Sequence, residues 1–149
     1  MSNGTKVKKR DGRSESLNLE KMHKMVEEAC KGLAGVSASQ VEIQSGIQFY
    51  DGITTAEIQE ILIRSASDLI DLDHPNYQFV AARLLLFALR KGLYGRQRDL
   101  PHLEAHIMNC TSIDVYDKDI FNKYSKEEIE KAEGYIDHDR DFLFTYAGL

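Results

Sequence analysis

The stretch from Pro75 to Tyr94 constrains the fold most. Its apolar residues Val80, Ala81, Leu84, Leu85, Phe87 and Leu89 fall on several faces of a helix rather than on one. Such a helix needs neighbours on most of its sides, so it should be the most buried element of a helical bundle. Pro75 suits its first turn and Gly95 ends it. Three more helices are available to surround it. Leu19, Met22, Val26, Ala29, Cys30 and Leu33 recur at helical spacing behind Asn18, which reads as an N-cap, and Gly32 or Gly35 stops the run. Ser39-Gln40-Val41-Glu42 reads as a capping box opening a shorter second helix with Val41 and Ile47 inward. Thr54-Thr55-Ala56-Glu57 is another, opening a third helix with Ile58, Ile61, Leu62, Ala66 and Leu69 on one face. Asp71-Leu72-Asp73-His74-Pro75 breaks that helix. Ile47-Gln48-Phe49-Tyr50 reads either as a helix end or as a short strand, and periodicity does not decide between them.

Before the helices, residues 1–5 read as a polar, disordered start. Asp11-Gly12 then predicts a hairpin of about Thr5–Arg10 and Arg13–Leu17, joined by a two-residue type I′ turn. The fold class that emerges is mainly α: a four-helix bundle capped at one end by a small β-sheet with an N-terminal hairpin. Beyond Gly95 the character changes to a linker, 96–101, and short helical patterns at 102–110, 114–122 and 125–133, the last with a capping signal at Ser125. The expected domains are therefore 1–95 and a helical extension, 96–149. The final run, Phe142 to Leu149, is strongly apolar and reads as a place where another polypeptide segment packs. Internal repeats and low-complexity tracts do not occur.

Charge is unevenly spread. The chain carries −5 overall, yet residues 1–24 hold seven Lys/Arg against three acids, which leaves −9 on the remainder. An acidic body with one basic end argues against broad nucleic-acid binding and for a local anion site. The two cysteines, Cys30 and Cys110, lack metal or redox spacing, and Leu84–Leu89 is too short an apolar run to span a bilayer. These features predict a soluble cytoplasmic protein with reduced thiols and no membrane contact. Cys30, beside the apolar face of its helix, reads as a core thiol.

The hairpin running into the first helix gathers Lys9, Arg10 and Lys21 near Glu15 and Asn18. Cations suit phosphates, and a carboxylate with a carboxamide suits a purine edge or ribose hydroxyls. The plainer reading is that such lysines are solvated and protect a sheet edge. No Walker A or GxGxxG loop occurs. Nucleotide binding would then use side chains plus the first-turn amides of the third helix around Thr55 and Ala56. His102, His106 and Cys110, four residues apart, could share a helix stripe and ligate zinc. With no fourth ligand evident, they read as an amphipathic face, and no metal is expected. Asp137-His138-Asp139-Arg140-Asp141 reads as an ion-paired structural run.

Taken in order, the hairpin-to-helix stretch Val7–Met22, Gln48-Phe49-Tyr50-Asp51-Gly52-Ile53, Ala81-Ala82-Arg83-Leu84, Leu89-Arg90-Lys91 and Tyr135–Asp141 resemble one family over nearly the whole chain. It is similar to the N-terminal ATP-cone region of the class I ribonucleotide reductase large subunit. The resemblance implies the ATP-cone architecture, and ATP or dATP as allosteric effector, with Mg²⁺. By that resemblance the nucleotide site comprises Val7, Lys9, Arg10, Glu15, Asn18, Lys21, Thr55, Gln59 and Lys91. Lys9, Arg10 and Lys91 would meet the phosphates, Glu15 and Asn18 the nucleoside, and Lys21 and Thr55 would complete the pocket. Two positions depart from the family pattern. Gln59 stands where dATP-sensitive members commonly carry a histidine, and Glu57 where an aspartate is usual. Gln59 donates a hydrogen bond but cannot become cationic, which puts dATP inhibition in doubt.

The resemblance also implies partners: the remainder of the reductase large subunit, the small subunit, and an oligomer. The family's catalytic residues lie in a barrel domain downstream, Cys30 and Cys110 match none of them, and no catalytic residue is expected here. The chain would then be a fragment, a truncated product or one piece of a split subunit, from a bacterium or a virus of bacteria. Two other readings remain. One is a degenerate cone that serves only as a docking surface. The other is a nucleotide-sensing transcriptional regulator, which the lack of paired zinc-binding cysteines disfavours.

Overall fold

The structure is a computed structural model that describes residues 5–149. In chain order its elements are β1 (Lys6–Lys8), β2 (Ser14–Ser16), α1 (Leu19–Cys30), α2 (Ala38–Gly46), β3 (Ile53–Thr54), α3 (Thr55–Asp68), α4 (Tyr77–Tyr94), α5 (Leu103–Ser112), α6 (Ile120–Lys123) and α7 (Lys126–Glu133). Two 3-10 segments follow, His138–Leu143 and Tyr146–Gly148. The disordered start expected of residues 1–5 lies, apart from Thr5, outside the described residues.

The hairpin forms with a different turn from the one expected. Gly12 N–H bonds the Lys9 carbonyl and Lys9 N–H bonds the Arg13 carbonyl, while among its residues only Gly12 has a positive φ, at 85°. That pattern is a three-residue loop, a type I turn closed by a left-handed glycine, not a two-residue type I′ turn. Asp11 stays out of the left-handed region, and its carboxylate binds the Arg13 backbone at 3.1 Å and the Arg13 guanidinium at 2.6 Å. The strands are accordingly shorter than predicted. A third strand, unforeseen, completes the sheet in the order β2-β1-β3: β1 pairs antiparallel with β2 and parallel with β3, with Val7 opposite both Glu15 and Ile53. Ile47–Tyr50 is neither strand nor helix but a turn following α2, and the strand comes after Gly52.

The core is one cluster to which every major element of the first compact unit contributes. Val7 and Ile53 come from the sheet, Val26 and Ala29 from α1, Val41 from α2, Ile58, Leu62 and Ala66 from α3, and Tyr77, Val80, Ala81, Leu84 and Phe87 from α4. As its sequence demands, α4 is buried on several faces. It begins at Tyr77, two residues after Pro75, which sits in the turn that leads into it. Tyr77 is 1% exposed, and its hydroxyl accepts from Ser37 N–H at 3.0 Å and donates to Gln40 Oε1 at 2.5 Å, which ties the start of α2 to α4. Arg83 covers the C-terminal end of α1, donating to the Ala29 and Lys31 carbonyls at 3.1 and 2.8 Å. Cys30 is half-buried beside it, and burial pushes its thiol up to about 11, as befits an inert core thiol.

The capping box expected at Ser39–Glu42 does not form. Helix α2 starts earlier, with Ser37 in the N-cap position and no side-chain cap, and Glu42 bonds His23 of α1 at 2.8 Å. The box at Thr54–Glu57 and the one at Ser125–Glu128 are both made.

By contacts the chain divides into two compact units, one up to Leu89 together with Phe142–Leu149, the other Arg90–Asp141. In the first, Phe142 meets Phe87 edge-on at 6.1 Å and lies under the Arg83 guanidinium, while Leu143, Phe144, Tyr146 and Leu149 stay exposed. In the second, α5 packs on α7, and Arg90, buried in its surroundings, pairs with Asp141 at 2.7 Å. The helical pattern at 114–122 resolves into turns and the short α6.

Replacing Tyr77 with Phe keeps the packing but removes both hydroxyl bonds. It should destabilise the fold by about 1–2 kcal/mol, read as a lower midpoint in urea at unchanged slope.

Candidate functional site

The predicted site residues begin on one face of the sheet. Side chains alternate along a strand, so Val7 and Lys9 share a face, with Glu15 opposite Val7 on β2. Val7 is buried beneath, and Lys9 Nζ pairs with Glu15 at 2.6 Å. Arg10 sits in the exposed hairpin turn. Parallel pairing sets Lys8 beside Thr54, so the chain leaves the ladder with Lys9 next to Thr55, the first residue of α3.

Asn18 is the N-cap of α1, as predicted, and its Oδ1 accepts from Lys21 N–H at 2.8 Å. That commits the carboxamide oxygen to the helix and leaves the Nδ2 donors for a ligand. Lys21 projects from the first turn and is exposed. Thr55 and Gln59, one turn apart, share a face of α3. Gln59 is only 7% exposed, and its Nε2 has no hydrogen-bond partner among the described residues. A buried amide without a partner costs about 1–3 kcal/mol, so an oxygen-bearing ligand has something to satisfy there. Lys91 is in the last turn of α4, past Leu89, and is described with the second unit.

Glu57 is fully occupied. Its Oε2 accepts from Thr54 N–H at 2.8 Å and from the Thr54 hydroxyl at 2.7 Å, and its Oε1 accepts from the Tyr50 hydroxyl at 2.9 Å. These bonds, those from Thr54 first, hold its carboxyl below the usual range, and the carboxylate in turn raises the Tyr50 phenol. Glu57 therefore serves as the capping carboxylate of α3. The parallel register directs the Thr55 N–H to the Lys8 carbonyl, and the Glu57 N–H is bonded to Thr54 Oγ1, so of the first-turn amides that of Ala56 remains as a donor at the positive end of the helix. Tyr50 was not foreseen as part of this arrangement, because no spacing rule links a loop tyrosine to a capping glutamate seven residues on.

The His102–His106–Cys110 stripe does not converge. His102 bonds Glu133 of α7 at 2.8 Å, while His106 lies between the Tyr94 and Tyr116 rings with Cys110 Sγ 3.7 Å from its Nε2. Among the described residues no group of three or more His, Cys, Asp or Glu could hold a metal ion. No helix among them is long and apolar enough to cross a membrane.

The sequence over these elements matches a known family. The ATP cone domain model matches residues 5–92. The chain belongs to the ATP-cone family. It is 46% identical to ribonucleoside-diphosphate reductase 1 subunit alpha of Escherichia coli and 45% identical to the subunit alpha of Haemophilus influenzae, each over 149 residues. It is 40% identical over 144 residues to the subunit alpha of Enterobacteria phage T4. The first two matches cover 100% of this chain, and the third 95%. They fall in the N-terminal region of these subunits, and the chain spans about a fifth of their length.

The cap at Glu57 gives a pH prediction. A carboxyl held below its ordinary value stabilises the fold above that value, and the contribution disappears as pH falls through the folded value. Wild-type protein should melt above Glu57→Gln at pH 7, and the gap should close as pH drops below about 4. Thermal melts of both proteins over that range check it.

Proposed function

We propose that this cone is the allosteric effector module of a ribonucleoside-diphosphate reductase large subunit, binding ATP or dATP, with Mg²⁺, at the junction of the sheet and α3. The observation that carries the reading is the Gln59 Nε2, buried and without a partner among the described residues, on the same face of α3 as Thr55. It fits an oxygen-rich ligand, as do the Ala56 amide in the first turn and the Lys9 ammonium across the ladder. Lys9 and Arg10 would neutralise phosphate oxygens. Glu15, the Asn18 amide and Val7 would hold the nucleoside, with Lys21 and Thr55 at the edges. Lys9 would leave Glu15 for phosphate, which costs little because the pair is half-exposed.

Residues 1–95 would form the cone and 96–149 the start of the reductase body. The rest of the large subunit and the small subunit would be its partners, in a cytoplasmic oligomer. Ribonucleotide reduction would depend on parts of that enzyme outside this chain. Each nucleotide can shift such an assembly only by the difference in its affinity for the two states. A second reading, a cone that only docks, has an observation in its favour. An open groove of about 940 Å³ between α1 and α2 is lined by the apolar side chains Leu17, Leu19, Met22, Ile43 and Phe49 together with polar ones such as Glu20, His23 and Glu42.

Calorimetric titration with MgATP and MgdATP separates the two. The effector reading expects micromolar binding that Lys9→Ala weakens by about ten- to a hundredfold, the loss of one charge-assisted bond. Gln59→His should make affinity rise from pH 8 to pH 6, whereas wild-type affinity should change little. Folded protein that gives no heat with either nucleotide would leave only the docking reading.

A further inference from the structure

We propose that the Tyr50 hydroxyl is a positioning group that carries nucleotide occupancy at the start of α3 to the loop after α2 and to the groove beside it. The proposal rests on the effector reading above. Glu57 Oε2 is held from within its own cap by Thr54, but Oε1 is held from outside the helix, by Tyr50. The Tyr50 ring is 53% exposed, so its hydroxyl bond rather than packing fastens this end of the loop to α3. The other end is fastened to β1, where Gly52 N–H bonds the Lys6 carbonyl at 2.9 Å and Asp51 Oδ1 accepts from Lys6 N–H at 2.7 Å. The loop thus spans two anchors, one on the strand that bears Lys9 and one on the helix turn that bears Thr55.

An anion at the Ala56 amide would share that turn with the Glu57 carboxylate, and like charges at this range repel. Glu57 cannot turn away without pulling on or releasing Tyr50, since among the described residues its carboxylate bonds only Thr54 and that hydroxyl. Phe49, the residue before Tyr50, lines the groove with Leu17, Leu19, Met22 and Ile43. A change in the Tyr50 bond therefore moves a wall of that groove. The bond made or broken is a two-state element that both the nucleotide site and the groove bias, which is the physical requirement for coupling. Coupling of this kind is reciprocal, so whatever changes the groove changes nucleotide affinity by the same factor.

Hydrogen exchange of the wild-type chain and of Tyr50→Phe, each with and without MgATP, tests this. In wild type, nucleotide should slow exchange both at the first turn of α3 and across residues 47–53. In Tyr50→Phe the first-turn protection should persist, and the nucleotide-dependent protection of 47–53 should fall roughly two- to thirtyfold, the span of a 0.5–2 kcal/mol coupling. A hydroxyl that only stabilised the fold would lower the melting temperature of the variant and leave the loop response intact, and that result overturns the proposal. So does a wild-type loop that ignores nucleotide while α3 responds. Failure of α3 itself to respond in wild type removes the effector reading, and this proposal with it.

Discussion

The parallel pairing of β1 with β3 is the contact on which the rest of the structure depends. It is only a few residues long, yet it joins the N-terminal hairpin to the cap of α3, chain segments more than forty residues apart. Val7 and Ile53, opposite one another in this ladder, are both buried in the bundle core. Their burial fixes which face of the hairpin looks inward, because a slip of one residue would turn Lys6 and Lys8 toward the core. With that register set, Lys9 leaves the strand beside the Thr55 turn, and the cationic end of the chain meets the positive end of a helix. Two like features side by side are unfavourable unless an anion is shared between them. The Glu15 and Glu57 carboxylates each hold part of this charge in the free protein.

Much of this was legible in the residues. The helical periods of α1, α3 and α4, the Asn18 cap and the Thr54 capping box depend on local chemistry, and each appears where its sequence places it. What escaped was set by tertiary context. β3 is two residues long, too short for any alternation to show, and exists because β1 offers it a partner. The Ser39 box had the right spacing, but its acid bonds His23 across the α1–α2 interface. The hairpin turn is a three-residue loop in which Asp11 binds Arg13 and Gly12 alone is left-handed, an arrangement the Asp-Gly pair by itself did not distinguish from a two-residue turn.

The site was legible in a different way. Spacing alone gathered Lys9, Glu15, Asn18 and Lys21, and the structure adds that Lys9 and Glu15 are an ion pair and that Asn18 spends its oxygen on a helix cap. Gln59 read as a departure from its family, a neutral residue where a cation is common. In the fold its Nε2 is instead a buried donor on α3 that, like the Ser65 hydroxyl further along the helix, finds no partner among the described residues. Neutrality has a physical consequence: an amide donates equally at all physiological pH values, so this position adds no proton-linked term to ligand binding. Tyr50 could not be read from sequence at all, because its role depends on where the loop after α2 brings a hydroxyl.

The most direct test of the account is an amide chemical-shift map of the chain titrated with MgATP. The account predicts the largest movements in the Lys9–Gly12 turn, at Asn18–Lys21 and along Thr55–Gln59, with the Gln59 side-chain amide shifted as its nitrogen gains a partner. Shifts confined to other surfaces, or none at saturating nucleotide, would contradict it.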